Sequence, residues 1–197
     1  MAALPDLVLF AKYPLAGYAK TRLIPALGAE GAARVHRHLA RRTVDTLRLS
    51  GAPVEVRFAG AEKAAFEAWL GDGISLVEQV EGDLTERLID ASRNHPHIFF
   101  GADTPDLDVE VVHQAIRALE RHDIVIGPAE DGGYYLIGMR EERPELLRDM
   151  PWSTEHVTPE TLRRCEALGL SVALLPVLAD CDRPEDLDRW PELVRLA

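Results

Sequence analysis

Residues 123–139 read DIVIGPAEDGGYYLIGM. Two apolar runs lie inside this stretch, DIVIGPA (123–129) and YYLIGM (134–139), each with the length and the β-branched or aromatic content of a strand. Only EDGG separates them, and Asp-Gly is a signal for a tight turn. A parallel connection needs a crossover of about a dozen residues or more. The second run therefore pairs antiparallel or peels away to another position in the sheet, and either way the sheet is mixed.

Outward from this stretch, strand-like and helix-like patterns alternate. Strands are expected at PDLVLFA (5–11), VEVRFAG (54–60), ISLVEQ (74–79), HIFFGAD (97–103) and SVALLPV (171–177). Residues 28–49 carry Ala32, Val35, Leu39, Thr43 and Leu47 on one helical face, with Arg34, Arg37, Arg41 and Arg48 elsewhere. A second helix spans 61–71 and stops at glycine. Asp83 and Glu86 form a capping-box pattern that opens a third, running to about residue 94. Val109, Val112, Ile116 and Leu119 stripe a fourth over 108–121. Thr158-Pro159 starts another that ends near Gly169, and Pro184 opens the last. This alternation predicts one α/β domain over residues 1–197, with a mainly parallel sheet of about seven strands covered on both faces.

The chain has 197 residues, enough for one sizeable core. Its 22 Lys and Arg against 33 Asp and Glu give a net charge of −11, which argues against a nucleic-acid partner. No run of about 18 apolar residues exists, so no membrane span is expected. The N-terminal residues lack a basic leader pattern and enter a strand-like run at once. Cys165 and Cys181 are the only cysteines, too few for a disulfide framework and without metal-site spacing. Reduced thiols in a cytoplasm are the plain reading.

Against that acidic background, LFAKYPLAGYAKTRLIP (9–25) gathers Lys12, Lys20 and Arg22 on one loop, just where the first strand ends. Ligands of open α/β sheets sit beyond the carboxyl ends of strands. Gly17 allows close backbone approach, and the three cations can neutralise a di- or triphosphate. The glycines of a P-loop are missing, with Ala19 before Lys20, and no G-x-G-x-x-G occurs. The alternative is a surface loop whose cations offset neighbouring acids. Asp103 ends the HIFF strand and is the candidate ligand for Mg²⁺ or Mn²⁺, hard cations satisfied by one or two carboxylates. Asp106 and Asp108 read as turn and helix-cap residues. Asp182, and behind it Asp180, is either a second metal ligand or a helix cap before Pro184. At the EDGG turn, Gly132 and Gly133 can let a ligand pass close to backbone, while Asp131 or Glu130 orients an acceptor or acts as a base. The histidines have no carboxylate partners at ligand spacing; His95 and His97 read as exposed, and His36 as an ordinary helix residue. Trp152 reads as core, with a lid over a ligand as the alternative.

FAKYPLAGYAKTRL, GADTPDL, GPAEDGGYYLIGM, PWST and DCDRPEDL, in that order, resemble the DUF2064 family of bacterial transferases, which is similar to a branch of the GT-A superfamily of nucleotide-diphospho-sugar transferases. The resemblance runs from Phe10 to Leu187. It departs from the family pattern at Ala16, where proline is expected, and at Arg183, where threonine is expected; neither is a proposed ligand. It implies a three-layer α/β/α Rossmann-like sandwich that holds a nucleotide on the first loop, and a divalent metal on an acidic turn matching Asp103.

Two chemistries follow. In glycosyl transfer from a nucleotide sugar to a small-molecule acceptor, Lys20 and Arg22 share the charge of the departing diphosphate and Asp131 or Glu130 is the base. In nucleotidyl transfer from a nucleoside triphosphate to a phosphorylated acceptor, the same loop holds pyrophosphate, a layout similar to that of archaeal guanylyltransferases. A non-catalytic nucleotide-binding module is the third reading. Glycosyl transfer comes first on family resemblance. The nucleotide base, the acceptor and the oligomeric state are not specified by these residues.

Overall fold

The computed structural model describes residues 4–93 and 96–196. Its seven strands are β1 (Asp6–Lys12), β2 (Val54–Ala59), β3 (Ser75–Glu78), β4 (His97–Phe100), β5 (Ile124–Pro128), β6 (Tyr134–Met139) and β7 (Val172–Leu174). The helices are α1 (Ile24–Leu49), α2 (Lys63–Leu70), α3 (Leu84–Ala91), α4 (Val109–Leu119), α5 (Pro144–Leu147), α6 (Val157–Ala167) and α7 (Pro191–Leu196). Short 3-10 turns cover Thr21–Leu23 and Pro184–Asp188. The helix expected to reach about residue 94 ends at Ala91, and the strand expected over 97–103 ends at Phe100. The one-turn helix α5 lay below the reach of periodicity.

All seven strands form one sheet in the order β3-β2-β1-β4-β6-β5-β7. The pairs β3/β2, β2/β1, β1/β4 and β5/β7 are parallel. β6 is antiparallel to both neighbours, with Phe99 opposite Ile137 and Ile126 opposite the same residue. The EDGG turn thus makes a hairpin with β5, and β6 separates β5 from β4 instead of leaving at the edge.

Alternation along β1 sorts the two faces. Leu7, Leu9 and Ala11 join the core under α1, α2 and α4, where Leu47, Phe66, Leu70 and Val112 are buried. Val8 and the half-buried Phe10 face the opposite layer, with Leu88 of α3, Leu146 and Leu147 of α5 and Cys165 of α6. A third cluster joins Leu23, Val35 and Leu39 of the α1 region to Trp190 and Leu193 near the C-terminus. The predicted α1 face is buried throughout, at Ala32, Val35, Leu39, Thr43 and Leu47. The Asp83–Glu86 box is present: Glu86 N–H donates to Asp83 Oδ1 (3.1 Å) and Asp83 N–H to Glu86 Oε2 (2.9 Å).

Two histidine expectations meet the structure here. His97 is buried inside β4, its ring 4.5 Å from that of Phe99, and is not exposed. The pleat turns it inward, which a position beside a proline did not reveal. His95 lies outside the described residues.

Candidate functional site

The parallel strands β1 and β4 lie side by side, so their carboxyl ends open at the same place. After Lys12 the chain makes one more ladder bond, Tyr13 N–H to Ala59 O at 2.8 Å, and then turns back on itself. Tyr18 and Ala19 both donate to Leu15 O, at 3.1 and 3.2 Å. Gly17 (φ +80°) and Lys20 (φ 44°) take left-handed conformations to make the turn. Such a backbone is disfavoured at a non-glycine residue. At Lys20 it is held by the side chain, whose exposure is only 4%.

The three N–H donors of the Lys20 ammonium meet three acceptors. These are Asp103 Oδ1 at 2.6 Å, Cys181 O at 2.6 Å and Asp182 Oδ1 at 3.0 Å. Asp103 follows the tip of β4. Asp182 arrives on the segment after β7, which is stitched along the strand ends by Glu130 N–H to Leu178 O (3.0 Å) and Cys181 N–H to Asp103 O (2.8 Å). Burial would lower the Lys20 pKa, but the charges of Asp103 and Asp182 overcome this and raise it well above the ordinary lysine value. Burial likewise works to raise Asp103, and the Lys20 charge and hydrogen bond win and lower it. Asp103 is ionised and Lys20 is charged.

This trio borders a cleft of about 520 Å³, together with Lys12, Arg22 and His36. The cleft continues over an apolar wall that includes Phe10, Leu84, Phe99, Tyr134 and Trp152. A second cavity of about 490 Å³ shares Arg22 and Asp182 with it and carries Glu130, Asp131 and Asp180. Lys12, Lys20, Arg22, Asp103 and Asp182, five residues picked from separate parts of the sequence, therefore meet at one opening. Arg22 is 60% exposed, with Nη1 3.8 Å from Asp182 Oδ2. Asp131 faces the second cavity, its Oδ1 accepting the Gly133 N–H at 2.9 Å.

The glycines shape the loops around the two cavities. Gly17, Gly132 and Gly133 are not among the residues that line either cavity. A β-carbon on Gly17 would meet nothing within 4 Å, so its requirement is conformational. At Gly132 (φ +88°) a β-carbon would overlap the Glu155 backbone, and Gly133 O accepts from Thr158 Oγ1 at 2.5 Å. The turn packs against Glu155 and Thr158. Asp108 caps α4 as expected, accepting from Val111 N–H at 2.9 Å, whereas Asp106 binds Trp190 Nε1 at 3.1 Å.

Of three more residues at the site, sequence reasoning missed His36 and left Asp180 and Trp152 between two readings. His36 is buried, and its Nε2–H donates to Lys12 O at 2.9 Å, tying the end of β1 to α1. Burial, only partly opposed by that hydrogen bond, lowers its pKa, so it is a neutral donor. Its position beside Val35, on the buried face of α1, was the available signal. Asp180 accepts from Thr104 Oγ1 at 2.5 Å, and its pKa is pushed up to about 6 by burial, aided by the charges of Asp103, Asp182 and Asp131. Trp152 is half-buried, edge-on to Tyr134 with Nε1–H donating to Thr85 Oγ1 at 2.8 Å, and its ring reaches the cleft. It belongs to the core and to the cleft wall at once.

Asp103 and Asp182 suit a hard divalent cation in one respect: each gives one oxygen to Lys20 and is 41% or 38% exposed at the cleft, although the other oxygen of Asp182 lies 3.8 Å from Arg22. Among the described residues no group of three His, Cys, Asp or Glu is placed to hold a metal alone. A cation here needs oxygens from a ligand, as is usual for Mg²⁺. No helix among the described residues is long and apolar enough to cross a membrane.

The fold recurs in solved structures. A candidate nucleotide-diphospho-sugar transferase from Desulfovibrio desulfuricans G20 is 27% identical, with TM-score 0.86 over 98% of both chains. The inositol-1-phosphate CTP transferase from T. maritima is 14% identical, with TM-score 0.62 over 99% of this chain and 96% of that one. Rv0371c from Mycobacterium tuberculosis H37Rv, in complex with manganese, is 20% identical, with TM-score 0.58 over 99% of this chain and all of that one. The last two likenesses show the fold alone. No curated protein matches the sequence. The model of the uncharacterized bacterial family DUF2064 matches residues 43–154, more than half of the chain, and the chain belongs to that family.

Proposed function

We propose that this protein is a divalent-metal-dependent glycosyltransferase that uses a nucleotide-diphospho-sugar donor. The observation that carries the reading is the meeting of Lys20, Arg22, Asp103 and Asp182 at one cleft beyond the ends of β1 and β4. Lys12 and Arg22, both exposed and lining the cleft, would bind the diphosphate. Asp103 and Asp182 would hold Mg²⁺ or Mn²⁺, which supplies charge neutralisation to the departing diphosphate when bound. Phe10, Phe99 and Trp152 offer an apolar wall for the nucleoside base. Asp131, one oxygen fixed by its own turn, would take the acceptor proton through the other. The acceptor oxygen then bonds to the anomeric carbon, and the bond from that carbon to the diphosphate breaks with its electron pair on the nucleoside diphosphate. Glu130 is the weaker candidate for the base, because Arg189 already pairs with it at 2.8 Å.

Three cations on one loop, taken alone, suit a triphosphate somewhat better than a sugar diphosphate. In the folded chain Lys20 is matched by two carboxylates, Lys12 faces the cleft, and Arg22, 60% exposed, lies 3.8 Å from Asp182. With one metal ion that charge does not choose between a diphosphate and a triphosphate; the likeness to a candidate nucleotide-diphospho-sugar transferase, 27% identical, puts glycosyl transfer first.

A thermal-shift screen of nucleotide sugars and nucleoside triphosphates, with and without Mg²⁺ or Mn²⁺, tests this. A ligand at 100 times its Kd adds about 2.7 kcal/mol of stability. Nucleotide sugars are expected to shift the wild type only with metal, and Asp103→Asn and Arg22→Ala should each lose most of the shift. Incubation with small-molecule acceptors should release nucleoside diphosphate. Release of pyrophosphate from a triphosphate would overturn the assignment in favour of nucleotidyl transfer.

A further inference from the structure

The second cavity holds a charge pattern that the donor site does not account for. It shares Arg22 and Asp182 with the cleft, so whatever occupies it touches the same two side chains as the diphosphate. Its walls are fixed in advance. The 131–133 turn is locked to the 153–158 loop by Thr158 N–H to Gly132 O at 2.9 Å, by Thr158 Oγ1 to Gly133 O at 2.5 Å, and by the close approach of Gly132 to Glu155. On the opposite side, Asp186 Oδ2 accepts the backbone N–H groups of Asp182 (2.9 Å) and Arg183 (2.7 Å), which holds the 180–186 segment in place.

Six carboxylates line this cavity: Glu130, Asp131, Glu155, Asp180, Asp182 and Asp186. Three guanidiniums and the His156 ring oppose them; Arg189 faces Glu130 at 2.8 Å, Arg22 faces Asp182 at 3.8 Å, and His156 Nε2 lies 3.9 Å from Glu155 Oε1. Arg183 alone has no carboxylate within ion-pair distance among the described residues, and it is exposed. A phosphate entering here would meet unbalanced negative charge on most sides, and like charges brought together without compensation exclude a ligand strongly. Hydroxyl and ammonium groups, by contrast, would find acceptors on every wall.

We propose that this cavity is the acceptor subsite, and that it selects a small hydroxyl- or amino-bearing acceptor, neutral or cationic, that carries no phosphate. The proposal rests on the glycosyl-transfer reading above and sharpens it, because the alternative, nucleotidyl transfer, needs a phosphorylated acceptor. Asp131 then stands beside the acceptor hydroxyl, with Asp182 between it and the donor.

Matched probes decide it. Glucosamine and glucosamine 6-phosphate, and myo-inositol and myo-inositol 1-phosphate, are titrated into the full chain with Mn²⁺. Binding is read by saturation-transfer NMR, and nucleoside diphosphate release is read with a panel of nucleotide sugars. The expected result is that at least one unphosphorylated member binds and reacts, at least tenfold better than its phosphorylated twin. The variant Glu155→Lys should narrow that ratio by improving the phosphorylated member. Equal or reversed preference, or no binding by any probe, overturns the acceptor assignment. The thermal shift with nucleotide sugars, measured on the same protein, separates the two levels: a shift that persists leaves the donor reading standing, and its absence overturns both.

Discussion

Lys20 is the residue on which the opening turns. Its backbone is left-handed, its ammonium is buried, and its three donors are all used. Replacing it by Met removes the countercharge and leaves Asp103 and Asp182 facing each other. Breaking a fully buried pair costs about 3–5 kcal/mol, and because both acids are partly exposed a loss of about 2 kcal/mol is expected, read from the urea midpoint. Asp180 works in the opposite direction. Its folded pKa of about 6 lies above the ordinary aspartate value of 3.8. A group raised in this way contributes stability that is complete below the unfolded pKa and is lost as pH rises through the folded one. Between pH 4 and 6, therefore, ionisation of Asp180 erodes stability. Asp180→Asn keeps an acceptor for Thr104 and should raise Tm at pH 7.5, worth about 1–2 kcal/mol, with no gain at pH 3.5. An unchanged Tm at neutral pH would mean that this carboxylate is better solvated than its surroundings indicate. His36 has the other sign: its depressed pKa makes the folded state lose stability as pH falls below about 6.5. His36→Gln should flatten that limb of the pH–stability curve.

Among the elements, the start of α3 was legible. The Asp83–Glu86 box was visible as a spacing and is present as two hydrogen bonds. Asp83→Ala should cost about 1 kcal/mol by equilibrium denaturation, the usual worth of a cap. The EDGG turn was half legible. Asp-Gly announced a tight turn, and β5 and β6 do pair antiparallel across it. What two glycines could not announce is their neighbour, because the Glu155 backbone that fills the space beside Gly132 comes from a loop with no sequence link to the turn. Gly132→Ala combines a positive φ with a backbone overlap and should lower stability by about 1–3 kcal/mol. Chemical-shift changes in that variant should reach Thr158, whose N–H donates to Gly132 O; changes confined to the turn would contradict the packing.

For the molecule as a whole, strand order decides where the chemistry can sit. β1 has β2 on one side and β4 on the other, so the cationic loop and the acid after β4 share an edge. β6 enters between β4 and β5, and there Gly138 leaves no room for a side chain: a β-carbon would come within 2.6 Å of Val125 Cγ1 and 3.0 Å of Ile98 Cγ1. Gly138→Ala should therefore cost about 2 kcal/mol from overpacking, measured as a drop in Tm with the sheet order retained. Sequence alone determined the alternation of strands and helices, the mixed sheet, the cationic loop and Asp103, because periodicity, caps and turns are written in residues that are near one another along the chain. Only the tertiary structure decided that β6 lies inside the sheet, that His36 and His97 are buried, and that Asp182 meets Lys20 across 162 positions. Those outcomes depend on which strand edges pair and which faces pack. The energies involved are shared among distant segments, and no short stretch of sequence carries them.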